Sequence, residues 1–125
     1  MSTFLYPITV SGPFGQYTVD AVVDSAATFT SIPAPALIEM GIEPVRVVRM
    51  QGPDGTSGFR QLGRALTTVA GVEDIAPVLF TQPGTPAVLG SVTLAILLLE
   101  ADASNKTLLP VSGRSHRPEG TRSAL

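Results

Sequence analysis

Apolar side chains fall on every second position at the start of the chain. Phe4, Tyr6, Ile8 and Val10 share one face of a strand, with Leu5, Pro7 and Thr9 on the other. Residues 11–15, Ser-Gly-Pro-Phe-Gly, are turn chemistry. Tyr17, Val19, Ala21 and Val23 then share one face of a second strand over 16–23, so the two form a hairpin that delivers Asp24 to its end. The period changes over 33–40. Pro33 and Pro35 suit the first turn of a short helix, and Gly41 suits its stop. Alternation returns over 45–51, with Val45, Val47 and Arg49 on one face. Gly52, Pro53, Asp54 and Gly55 make a turn. A strand follows over 56–68, weakened by Gly58 and Gly63. Ala70 and Gly71 turn the chain into a return strand over 72–80, and 81–86 is a Pro/Gly loop. Ala87, Val88 and Leu89 form a short buried strand ended by Gly90. Ser91 is placed to cap a buried helix over 92–99, and 107–111 is a last strand. The pattern predicts a mostly β fold with one or two short helices.

Composition narrows this. With 125 residues the chain is long enough for one core, expected over 1–111, followed by a polar, Arg- and Ser-containing tail over 112–125 that is expected to be disordered. Only 14% of residues are charged, which leaves apolar surface for an oligomer to cover. The net charge is −2 and no run of cations precedes the tail, so a nucleic-acid partner is not expected. Arg114, His116, Arg117 and Arg122 of the tail read as solvated residues. There is no Cys, which excludes disulfides, thiol catalysis and thiolate metal sites. The single His, His116, sits in the tail, so neither a Ser-His-Asp triad nor a His-based zinc site is expected. The opening MSTFLYPITV lacks the basic region and apolar core of a secretory signal. The longest apolar run, 92–99, is too short to span a bilayer. No membrane, metal or cofactor is expected, and the cytoplasm is the expected compartment.

One carboxylate stands apart. Asp24 follows the apolar run Ala21-Val22-Val23 and precedes the small residues Ser25, Ala26 and Ala27. An Asp at a strand end often caps a turn by accepting backbone N–H groups. Asp54 has that character, Asp20 alternates outward, and the other carboxylates lie in polar surroundings. Val22-Val23-Asp24-Ser25-Ala26 has a faint echo in Val88-Leu89-Gly90-Ser91, a second strand breaking into a small-residue turn, as in a pseudo-two-fold domain.

Asp24-Ser25-Ala26-Ala27-Thr28 resembles the Asp-Thr/Ser-Gly-Ala-Thr loop of retropepsin-like aspartic peptidases. Val88-Leu89-Gly90, followed by an apolar helix, is similar to that family's second motif, two apolar residues and a Gly. The hairpin tip at Gly52, Pro53, Asp54 and Gly55 falls where the family has its flap. The resemblance runs from about Phe4 to Val111 and is nearest to the small bacterial single-domain members. It implies a closed β-barrel of the acid-protease half-domain type. Because the chain has one such loop, it also implies a homodimer with Asp24 and its symmetry mate on the two-fold axis.

The chemistry implied is aspartic endopeptidase activity on an extended peptide held under the flap. Two carboxylates about 3 Å apart cannot both ionise easily and share one proton. The charged one takes a proton from water while the neutral one donates to the scissile carbonyl oxygen. Ser25 keeps the hydroxyl that in the family bonds to the partner loop, Thr28 occupies the second hydroxyl position, and Val88, Leu89 and Gly90 pack beneath the loop. One residue departs from the pattern: Ala26 stands where the family has Gly. Its methyl either crowds the partner loop or is accommodated at negative φ. The alternative reading is therefore the same fold retained as a dimerisation or peptide-binding module with catalysis lost.

Overall fold

The computed structural model describes residues 3–52, 54–113 and 115. The alternation at the start of the chain builds β1 (Phe4–Gly12) and β2 (Gly15–Val23), joined through Pro13 and Phe14. They pair antiparallel from Phe4 opposite Val23 to Gly12 opposite Gly15. Phe4, Ile8, Val10, Ala21 and Val23 are buried, while Leu5 on the other face is exposed. After a loop the chain enters β3 (Thr30–Pro33) and α1 (Ala34–Glu39). Pro35 lies in the first turn of α1, where a missing N–H costs nothing. Gly41, at φ +80, ends it. The Gly41 N–H donates to the Ile38 carbonyl and the Ile42 N–H to that of Leu37, so two carbonyls left over by the helix find donors.

Next come β4 (Pro44–Gln51), β5 (Ser57–Val69) and β6 (Val72–Thr81), then β7 (Val88–Leu89), α2 (Ser91–Ile96), β8 (Leu99–Asp102) and β9 (Thr107–Pro110). Seven strands form one sheet in the order β1-β2-β7-β3-β6-β5-β4, and β1 also pairs with β5. That last pairing, Ile8 to Ser11 against Val69 to Leu66, closes six strands into a ring. Closure removes the open edges through which sheets aggregate. The thirteen residues of β5 do two jobs. From Leu62 onward they pair with β6 inside the ring; from Ser57 to Gly63 they pair with β4, which lies outside it. The β4–β5 hairpin is therefore the segment that the sequence resemblance likens to a flap. The core fills the ring with Ile8, Val10, Ile32, Val69, Val78 and Leu89, against which Leu37 of α1 and Leu94 of α2 pack.

Four expectations change. The helix over 92–99 is shorter: α2 stops at Ile96, Leu98 turns out at φ +58, and Leu99 begins β8, which pairs with β9 as a separate two-stranded sheet. The N-cap of α2 is Gly90, and Ser91 is its first helical residue. The face of β4 that carries Val45 and Val47 is the exposed one, at 61% and 58%, while Val48 and Met50 are half-buried. The echoed segments lie side by side, Val22 opposite Val88 and Val23 opposite Leu89 in parallel register. Only the second leads straight into a helix; the first passes through a loop and β3 before α1. The described residues of the tail are 112, 113 and 115. The tail's expected disorder and the cations Arg114, His116, Arg117 and Arg122 lie outside the described residues.

Ile32 has no exposed surface and sits on β3 beside Phe80 of β6. Ile32→Ala removes packing at the centre of the ring and is expected to lower unfolding free energy by about 2–5 kcal/mol in urea titrations. A loss below about 1 kcal/mol would mean that the ring collapses onto the gap, contrary to the rigid packing described.

Candidate active site

The burial of Ala21 and Val23 carries β2 into the ring, and Asp24 is the first residue past its end. Its N–H donates to the Leu89 carbonyl at 3.1 Å, which extends the parallel pairing with β7 by one bond. The loop then turns back: the Ala27 N–H donates to the Asp24 carbonyl at 3.1 Å. The Ala26 N–H donates to the Asp24 carboxylate Oδ1 at 3.0 Å. That last contact is the turn-capping role expected of an Asp at a strand end. It occupies one carboxylate oxygen, Oδ1. Asp24 is half-buried, whereas Ser25 and Ala26 are exposed.

The far side of the loop is fastened to α2. The Ser91 N–H donates to the Ala27 carbonyl at 2.8 Å and the Val92 N–H to the Thr28 carbonyl at 2.9 Å. A helix leaves its first N–H groups without internal partners, and here loop carbonyls take the place of a capping side chain. The approach is so close that only glycine fits at position 90. A Cβ there would lie 2.5 Å from the Phe29 carbonyl carbon and 2.6 Å from its oxygen. Val88, Leu89 and Gly90 thus lie against the Asp24 loop, with Leu89 fully buried.

Thr28 is exposed and meets α2 through its carbonyl. The hydroxyl buried beneath the loop belongs to Thr30, which sequence reasoning passed over. Its Oγ1 accepts the Gly90 N–H at 3.1 Å and lies 2.6 Å from the Thr93 Oγ1. Both threonines are buried. The available signal was Thr30 two residues before the apolar Ile32 and Thr93 within an apolar helix, polar groups that need partners once buried.

Ala26 is not among the residues at positive φ, so its methyl imposes no left-handed strain on the loop. The flap tip is separate from this assembly and bonds within itself. The Gly52 N–H donates to the Thr56 carbonyl at 2.7 Å and the Gly55 N–H to the Gly52 carbonyl at 3.0 Å. The Thr56 hydroxyl and N–H both donate to Asp54 Oδ1, at 2.7 and 3.1 Å. Those bonds, the hydroxyl's first, hold the Asp54 pKa below its ordinary value. Pro53 lies outside the described residues. Among the described residues no group of three or more His, Cys, Asp or Glu side chains is placed to hold a metal ion. Nor is any helix among them long and apolar enough to cross a membrane.

No family model matches the chain, and no curated protein matches it in sequence. Among solved structures, the solution structure of the simian foamy virus (mac) protease matches with a TM-score of 0.54 at 20% identity, over 74% of this chain and 93% of that one. The chain has a retropepsin-like fold.

Two predictions follow from this geometry. Thr30→Val removes the acceptor of the Gly90 N–H as well as a partner of Thr93, and is expected to cost about 1–3 kcal/mol in urea unfolding. Thr93→Val leaves the Gly90 bond in place and costs less. Equal stabilities for Thr30→Val and wild type would contradict the role given to this hydroxyl. At the flap, the folded Asp54 pKa is lowered, so the contribution of its Thr56 bonds is complete above the ordinary carboxylate value. It is lost as pH falls through the lower folded value. The Thr56 amide proton shift, followed by NMR, is expected to move with that titration; a shift indifferent to acid would show that the turn does not depend on the carboxylate.

Proposed function

We propose that the chain is an aspartic endopeptidase that works as a homodimer, each protomer contributing one Asp24, in the manner of the small bacterial single-domain retropepsin-like peptidases. In this reading residues 1–111 are the peptidase domain, 112–125 a polar extension, and the cytoplasm the place of action, without metal or cofactor. The observation that carries the reading is the placing of Asp24. It is the carboxylate at the mouth of a loop clamped on both sides, by β7 and by α2, in a ring of retropepsin-like fold. A turn cap needs no such clamp. A catalytic pair does, because two carboxylates must meet about 3 Å apart to share a proton.

The steps follow from that geometry. Asp24 of each protomer has its Oδ1 held by the Ala26 N–H, which fixes the direction of the carboxylate. With two copies across a two-fold axis, the pair carries one negative charge and one proton. The charged carboxylate accepts a proton from a bound water as its oxygen attacks the scissile carbonyl carbon. The neutral one donates to the carbonyl oxygen. As the tetrahedral intermediate breaks, the protonated carboxylate donates to the leaving amine nitrogen and the charged one takes a proton from a diol hydroxyl, so the C–N bond breaks, the acid product forms and the pair again holds one proton. Apparent pKa values of such a pair belong to both copies together. Ser25 reaches toward the partner loop, and the hairpin of Gly52, Pro53, Asp54 and Gly55 closes over an extended peptide. The alternative, a peptide-binding module without catalysis, was favoured by Ala26. Its backbone is not at positive φ, which removes strain within the protomer as a ground for that alternative.

Mixing wild type with Asp24→Asn protein tests the shared site. Cleavage of a peptide library is expected to follow the square of the wild-type fraction once subunits exchange, so an equal mixture retains about one quarter of the activity. Activity linear in that fraction, or undiminished per chain in samples that light scattering shows to be monomeric, would sink the two-chain mechanism.

A further inference from the structure

Charge is unevenly placed on this chain. Four of its eight Lys and Arg residues, Arg46, Arg49, Arg60 and Arg64, lie on β4 and β5, and only one of its ten carboxylates, Asp54, lies between them. Asp54 is already engaged by Thr56. The strand register sorts the arginines. Arg46 pairs with Leu62 and Val48 with Arg60, so these four side chains share one face of the hairpin. Arg49, opposite Phe59, faces the other way.

On the shared face lies an open groove of about 410 Å³, large enough for one or two side chains of a peptide. Its apolar walls include Phe29, Val48, Leu62 and Pro77, and its cations are Arg46 and Arg64. Phe29 belongs to the loop that begins at Asp24 and forms the wall on which α2 bears through Gly90. The groove thus joins the flap hairpin to the candidate catalytic loop. Neither the Arg46 nor the Arg64 guanidinium has a hydrogen bond or ion pair among the described residues. A second cavity, about 880 Å³ around Phe14, Ile42 and Leu66, adjoins the groove at Arg64, includes Glu43, and lies apart from Asp24 and its loop.

Two guanidinium groups beside an apolar wall fit a carboxylate on a short apolar stem. A guanidinium binds a carboxylate through two parallel N–H bonds, and the stem of Glu or Asp covers the wall. A nucleic-acid backbone asks for something different, a continuous track of cations on a basic protein, whereas this chain is net negative. We propose that the groove recognises an acidic side chain of an extended peptide, so that the chain selects Asp- or Glu-bearing segments. For the cutting of such segments this rests on the peptidase reading; for their binding it does not.

Fluorescence anisotropy tests the binding with Asp24→Asn protein, which holds a peptide without cutting it. The probes are labelled extended peptides in matched pairs that differ only by Glu or Gln at one position. The Glu member is expected to bind about 5–10-fold more tightly at low salt at one or two positions, with the difference narrowing as salt rises. Adding Arg46→Gln and Arg64→Gln is expected to bring the Glu/Gln ratio to about one, and Arg46→Glu with Arg64→Glu to favour Lys at that position. Both arginines are exposed, and circular dichroism confirms that each variant is folded. No difference between Glu and Gln at any position, no binding at all, or tighter binding of an oligothymidylate than of the Glu peptide would overturn the inference. Cleavage of the same pairs by wild type separates the two ideas. A Glu preference in binding with no cleavage removes the peptidase reading and leaves the groove, whereas cleavage indifferent to Glu or Gln removes the groove assignment and leaves the peptidase.

Discussion

The Thr30 and Thr93 hydroxyls meet at 2.6 Å inside the protein, between a strand and a helix that are distant in sequence. Both are buried, so neither can turn to water, and burial without a partner is costly. The pair therefore holds β3 and α2 at one separation. The Gly90 N–H donates to the same Thr30 oxygen, and the absence of a side chain at 90 lets the Phe29 backbone come down on it. Once that contact is made, the Ala27 and Thr28 carbonyls lie where the first N–H groups of α2 need acceptors. The position of Asp24 is the outcome. It is tied through Leu89 on one side and through Ala27 on the other, and its carboxylate inherits the rigidity of the whole clamp.

Rigidity of this kind matters because of what a lone carboxylate lacks. A single Asp is a weak base, and its chemistry changes when a second carboxylate is held near enough to compete for one proton. The chain carries one loop of this type, and a two-fold axis is the economical way to bring two together. In the dimer proposed, symmetry would place a stringent demand on the loop: any looseness in one protomer would be doubled in the pair, and a misplacement of an ångström would be enough to lose most of the rate. Ala26 is accommodated within its own protomer because its backbone is not in the left-handed region.

The ring and the hairpin divide the labour. Closure by β1 against β5 makes the barrel a fixed platform, while β5 runs on beyond it to carry β4. The hairpin is poor in buried contacts, and segments of that kind open at low cost. The arginines cluster on this element, next to the wall supplied by the Asp24 loop. In the proposed function, charge on the hairpin and acid chemistry on the ring would keep substrate capture and bond breaking on separate parts of the fold.

Alternation of apolar residues was enough to locate the β1–β2 hairpin, the long β5 and its return, because a side-chain period of two leaves a strong mark when one face is buried. The short helix at 34 was legible through its prolines and Gly41, which act on the backbone locally. Asp24, Gly90 and the flap turn stood out for the same reason, as residue types that break a local pattern. What the pattern missed depended on distant parts of the chain. No Gly or Pro marks the end of α2, and Leu98 leaves the helix at φ +58 because Leu99 pairs with Pro110. Ser91 looked like a cap, yet the α2 N–H groups are taken by loop carbonyls more than sixty residues earlier. Val45 and Val47 read as the stronger face of β4, but β4 lies outside the ring, so there is no core for that face to meet. Thr30 was indistinguishable from its neighbours until Thr93 and Gly90 came to lie beside it. Local backbone chemistry is written residue by residue and can be read that way. Which polar groups become partners, and which apolar faces find a core, is decided only when the ring closes.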